Sequence, residues 1–164
     1  MNKITFLLTL YVFCLTSVFA QKYGHVNSEE IMQNMPGIGT VQIKMAEFQK
    51  NLETMYENTV NEFQTKKEKF DRESGSWSAS VRKMREDELI ALQNRIQEIQ
   101  YNAQEDIEQE QERLITPFKE KVQNAIHEVA NEYLFNYILD TQILLYYKSA
   151  NDITPLVKKK LGIK

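Results

Sequence analysis

The chain has 164 residues, with 20 basic and 23 acidic side chains, two histidines and one cysteine. That mild acidity leaves no basic footprint for nucleic acid, and a lone cysteine excludes an internal disulfide framework. No glycine-rich phosphate loop, nucleophile arrangement or spaced carboxylate pair rises above the charged background, so the expectation is no enzyme activity and no cofactor.

Residues 1–20 read as a secretory signal peptide. Lys3 supplies the basic start, Phe6 to Phe19 is almost wholly apolar, and Val18-Phe19-Ala20 puts a small residue before a cut at Gln21. The apolar run is short for a membrane span of about 20 residues. Cys14 leaves with the leader, as does Lys3, so the mature chain carries 19 basic against 23 acidic groups, a net charge of −4. Without disulfides, a charged helical chain of 144 residues buries little core by itself, which points to oligomerisation.

The mature chain opens with a short strand around Tyr23 to Val26 and then a short helix. Asn27 is the expected N-cap, because Glu30 stands at N3 and Glu29 lies in the first turn. Met35-Pro36-Gly37 ends this segment. From Ile38 the apolar positions Val41, Met45, Phe48, Leu52 and Met55 alternate steps of three and four, the spacing of a coiled-coil seam. Beyond Leu52 the stripe runs better through Tyr56, Val60, Phe63, Lys67 and Phe70, a shift out of the heptad.

Glu73 to Val81, ESGSWSASV, breaks the helical pattern and holds the only Trp. This reads as a hairpin tip, with Trp77 capping the helix ends or meeting a bound protein. The return helix carries Leu89, Leu92, Ile96, Ile99 and Ala103, then less regularly Ile107, Leu114, Phe118, Val122, Ala125 and Val129. Pro117 predicts a kink in one helix or a local break. Phe135 to Leu139 fits a helix end or a strand, and Ile143 to Lys148 a strand, with a hairpin between them favoured. A last short helix has Asp152 as its expected cap and Pro155 in its first turn.

The predicted fold class is therefore α+β: a small β-rich oligomerisation body, 21–37 with 134–164, and a long antiparallel helical hairpin, 38–133, with its tip near 74–80. Exposed strand edges favour a symmetric oligomer, and Val26, Ile138, Ile143, Leu145, Tyr147, Leu156 and Leu161 are the expected association residues. Candidate contacts for a bound protein are Phe63, Phe70, Trp77 and Met84. Near the tip, Lys66, Lys67, Lys69, Arg72, Arg82, Lys83 and Arg85 form a basic cluster for acidic segments or weak contact with an anionic membrane. Ordinary helix solubility explains the same charges. His25 and His127 lack ligand spacing, so no metal site is expected.

The leader, GHVNSEEIM, the two charged arms and the closing ILLYYKSANDITPLVKKKL together resemble the Skp, or OmpH-like, family of periplasmic chaperones. The resemblance spans Lys22 to Leu161; its best signature is an apolar strand, Tyr146-Tyr147, a polar turn, then Asp152-Ile153-Thr154 with Val157 and Leu161. It implies a jellyfish-like homotrimer that captures unfolded outer-membrane β-barrel proteins between helical arms without ATP. Family members are commonly strongly basic, whereas this mature chain is acidic. The alternative is a secreted structural coiled-coil protein with one defined envelope partner.

Overall fold

The computed structural model describes residues 21–163; the expected leader and its cleavage lie outside them. The described chain runs β1 (Tyr23–Val26), α1 (Ser28–Gln33), α2 (Gly39–Glu73), a 3₁₀ turn (Ser74–Ser76), α3 (Ala79–Glu132), β2 (Tyr137–Asp140), 3₁₀ turns at Thr141–Ile143 and Ser149–Asn151, and α4 (Thr154–Lys160). It divides into two compact units, one of residues through Ile31 with those from Val122 onward, the other Met32–Lys121.

In the first unit β1 pairs with β2 in parallel, Tyr23 opposite Tyr137 and Val26 opposite Asp140. This corrects the expected hairpin. No strand forms over Ile143 to Lys148, and the Phe135 to Leu139 run contributes β2 to a partner from the other end of the chain. Parallel neighbours need a long crossover, which the helical segments between them supply. Leu144 (φ −97°, ψ 123°) and Lys148 (φ −101°, ψ 138°) keep extended backbone, yet Ile143, Leu145, Tyr146 and Tyr147 stay exposed.

Asn27 caps α1 as its side-chain chemistry requires, Oδ1 accepting from the Glu30 N–H at 3.0 Å. Its own N–H donates to Thr154 Oγ1 at 2.9 Å, tying the first turn to the last helix. Asp152 stands one residue before the cap: Ile153 occupies the N-cap position of α4, and Asp152 Oδ1 accepts from the Thr154 N–H at 2.8 Å as a local turn. His25 is buried and structural. Its Nε2 carries the proton donated to Lys148 O at 2.9 Å, its ring packs on Tyr147 at 4.4 Å, and a bridge joins it to Asp152. Val26, Ile31, Val122, Ala125, Val129, Ile153 and Val157 are this unit's buried apolar core.

The second unit is the helical hairpin. Its most buried apolar side chains are Met35, Val41, Leu92 and Leu114, and Met45, Phe48, Leu52, Tyr56, Val60, Phe63 and Phe70 along the seam are half-buried. At about 1.5 Å per residue, the 35 residues of α2 run roughly 52 Å. Pro117 lies inside α3, which continues through it. Gly37 adopts φ +87° before α2, a left-handed conformation that costs a side chain strain, and the Phe118 ring stands 3.8 Å from where a Cβ would sit.

Candidate functional site

The seam between α2 and α3 is set by the shifted stripe. Ile38, Val41, Met45, Phe48, Leu52, Tyr56, Val60, Phe63 and Phe70 all turn at least partly inward, whereas Met55 is exposed. Lys67 also points away, its side chain 51% exposed and paired with Asp71 at 2.7 Å. The inward position that periodicity missed is Thr59, buried, with its hydroxyl satisfied by Met55 O at 2.7 Å. Thr54 and Thr65 donate in the same way to the carbonyl four residues earlier, at 2.8 Å each. A threonine whose hydroxyl is closed on its own helix behaves as a small apolar group, a substitution that hydrophobicity counting overlooks.

Because the seam is filled unevenly, it opens into grooves. One, of about 490 Å³, is lined by Ile38, Val41 and Met45 from α2 and Ile107 and Ile115 from α3, with Gln33, Gln42, Gln49 and Gln111 among its other lining residues. Leu52, Tyr56, Ile99 and Ala103 line a second of about 240 Å³, where the Gln100 amide donates to the Tyr56 hydroxyl at 3.0 Å. Apolar floors with amide and methionine side chains suit many shapes weakly rather than one shape tightly.

At the tip, Ser78 ends the break: its carbonyl accepts from the Arg82 N–H at 2.9 Å as α3 begins. Trp77 meets Phe70 edge to face, ring centroids 5.7 Å apart at 73°, and both rings are half-buried. Trp77 also borders a hollow of about 160 Å³ with Lys66, Lys69, Arg85, Glu88 and Leu89. Phe63 belongs to the seam, while Met84 is 54% exposed and stands outside it.

The basic cluster is largely engaged. Lys66 binds Glu62 at 2.6 Å on its own helix and Glu88 across the hairpin, Arg85 reaches Glu88 at 2.9 Å, and Lys83 pairs with Asp87 at 2.7 Å. Arg72 lies 3.8 Å from Glu68, and Arg82 Nε donates to Ser74 O at 3.1 Å. Hydrogen bonds to Glu62 and then Glu88 raise the Lys66 pKa; bonds from Lys66 and then Arg85 hold the Glu88 carboxyl below its usual range. Glu88 is the residue that charge counting missed, because its partner is on the other helix. Its place four residues before Leu92, on the seam face, is the signal for it.

Of the expected association residues, Val26 is buried in the first unit, and Ile138, Leu156 and Leu161 are half-buried. Ile143, Leu145 and Tyr147 are exposed, Leu145 completely. Among the described residues no cluster of His, Cys, Asp and Glu is arranged to hold a metal, and no helix is long and apolar enough to cross a membrane.

Residues 22–161 match the family model of OmpH-like outer membrane proteins. The chain belongs to the OmpH-like family. It is 24% identical over 145 residues, 88% of each chain, to the chaperone protein Skp of Yersinia enterocolitica. A solved structure of an OmpH-like protein from Caulobacter crescentus CB15 shares the fold, with a TM-score of 0.65 at 13% identity over 87% of this chain and 84% of that one. The OmpH-like fold is thus present here as a long helical hairpin with a small strand pair.

Proposed function

We propose that the chain is an ATP-independent periplasmic holdase, released from its leader by cleavage between Ala20 and Gln21, that keeps unfolded outer-membrane β-barrel proteins from aggregating. The reading rests on family membership across residues 22–161, and the groove-bearing seam supports it. An unfolded barrel strand alternates apolar and polar residues. Such a client offers many small apolar contacts and no fixed surface, so a row of half-open grooves and flexible side chains matches it better than one closed pocket. Phe63, Phe70, Trp77 and Met84 are the proposed client contacts, and the affinity comes from many weak contacts acting together.

Three copies form the proposed working unit, joined through the body, 21–37 with 134–164, and holding the client among arms 38–133. Ile143, Leu145 and Tyr147, exposed in the single chain beside the extended backbone of Leu144 and Lys148, support association there. Acids engage most of the charges of the tip, chiefly within each helix, with Lys66–Glu88 crossing the hairpin; any contact with an anionic membrane is correspondingly weak.

The test dilutes a urea-denatured outer-membrane β-barrel into buffer without nucleotide, with and without the mature protein, and measures aggregation and complex mass on the same sample. Suppressed aggregation by a trimer holding one client is the expected result. A stable oligomer with no effect on several barrel clients would overturn the holdase reading in favour of a structural coiled-coil protein with a single envelope partner. In the same assay Trp77→Ala weakens capture more than assembly; an equal loss of arm helicity would assign Trp77 to holding the tip alone.

A further inference from the structure

The backbone becomes fixed one residue after the proposed cleavage. The Lys22 N–H donates to Asn136 Oδ1 at 2.8 Å, and the Lys22 carbonyl accepts from the Asn136 N–H at 2.8 Å. Its ammonium donates to Tyr133 O at 2.7 Å and lies 4.3 Å from the Phe135 ring centroid. Tyr23 stacks on Tyr137, centroids 5.5 Å apart and planes within 13°. From this anchored position the Tyr23 hydroxyl donates to Oε1 of Gln21, which is itself exposed. A phenol bonded to an amide oxygen polarises the carbonyl and can carry charge that the oxygen gains when its carbon is attacked.

We propose that Gln21 is a modification site: once it is the first residue, its side chain closes on its own α-amine to give a pyroglutamyl N-terminus, with the Tyr23 hydroxyl assisting at Oε1. The inference rests on the cleavage position proposed above. The α-amine lone pair attacks Cδ, the N–Cδ bond forms, and Oε1 takes negative charge under the Tyr23 O–H. As the carbonyl re-forms, the Cδ–Nε2 bond breaks, and Nε2 departs as ammonia with the proton given up by the α-nitrogen. A five-membered lactam and one ammonia account for every atom, and no oxidant or cofactor enters. Both reacting groups belong to one residue, so orientation replaces encounter. The terminal positive charge is lost, and an exopeptidase that grips a free α-amine finds none.

The full chain is expressed through its own leader, collected at intervals, and followed by intact mass and N-terminal sequencing at pH 8, where an α-amine is about half neutral. The expected product starts at residue 21, is lighter by about 17 Da, the mass of one ammonia, and resists sequencing until the lactam is removed enzymatically. Tyr23→Phe keeps the ring stack and loses the hydroxyl. It should slow the mass loss roughly tenfold, less than at an enclosed oxyanion site because this one faces water, with circular dichroism confirming the fold. A chain starting at residue 21 that keeps its open amine overturns the cyclisation and leaves the cleavage standing. A different first residue overturns both, and equal rates for the wild type and Tyr23→Phe remove Tyr23 from the reaction.

Discussion

A Cβ added at Gly24 would stand 3.0 Å from Phe135 Cε1 and 3.2 Å from Ile153 Cγ2, so this glycine is where β1 lets two neighbours close over the backbone. Gly24→Ala should lower stability by about 1–3 kcal/mol, the usual cost of overpacking, read as a lower midpoint in urea with an unchanged slope. At the tip the cross-hairpin bridge has its own pH signature. The Glu88 carboxyl sits below its ordinary value, so its contribution is full at neutral pH and is lost as pH falls below about 4.5 through the folded-state value. Lys66 is raised, and its contribution disappears only above about 10.5. Glu88→Gln should therefore flatten the acid limb of a thermal-midpoint profile below about pH 4.5 and weaken the alkaline limb without abolishing it, since Glu62 still holds Lys66, with both differences shrinking in high salt. An unchanged acid limb would mean that the bridge contributes nothing in solution.

At the scale of elements, α3 is the notable case because it stays helical through Pro117. Proline supplies no N–H to the Arg113 carbonyl and its ring crowds that oxygen. Pro117→Ala should restore the bond and raise the helix melting midpoint, by up to about 3 kcal/mol of helix stability; a lower midpoint would show that the proline is packed to advantage. Much of this element structure was legible in advance. Three-four spacing located both arms and the shift after Leu52, the Asn27 and Glu30 pair located the start of α1, and the small polar run around Trp77 located the tip. These are local signals, written within a few residues of where they act. Strand pairing is not. YILD and the run from Ile143 to Lys148 are equally rich in strand formers, and propensity does not say that the first takes a partner more than a hundred residues away while the second takes none in its own chain. Seam residues Thr59 and Glu88 were missed because their side chains are polar: Thr59 closes its hydroxyl on its own helix at Met55 O, and the Lys66 that Glu88 meets lies on the other arm.

At the scale of the whole molecule, the exposed apolar run from Ile143 to Tyr147 bears on how copies meet. Leu145 has no cover in the single chain, and burying such a side chain is worth about 1.5–3 kcal/mol per copy. Leu145→Asp should leave far-ultraviolet circular dichroism unchanged and shift the mass in dilute solution from that of the proposed trimer toward monomer. Should the variant remain trimeric at the lowest measurable concentration, association runs through another face.

The parallel ladder joining Tyr23–Val26 to Tyr137–Asp140 also dictates an order of events in time. Lys22 and Asn136, bonded to each other, are 114 residues apart, and a chain delivered from its N-terminus shows the first of them long before the second. At roughly 5–20 residues per second of synthesis the delay is about 6–23 s. Throughout it β1 is an open strand edge with no mate, while the two arms, which meet at a local turn, can already zip together. This protein thus begins life as what its proposed clients are: a polypeptide with unpaired β-structure waiting for its last segment to arrive.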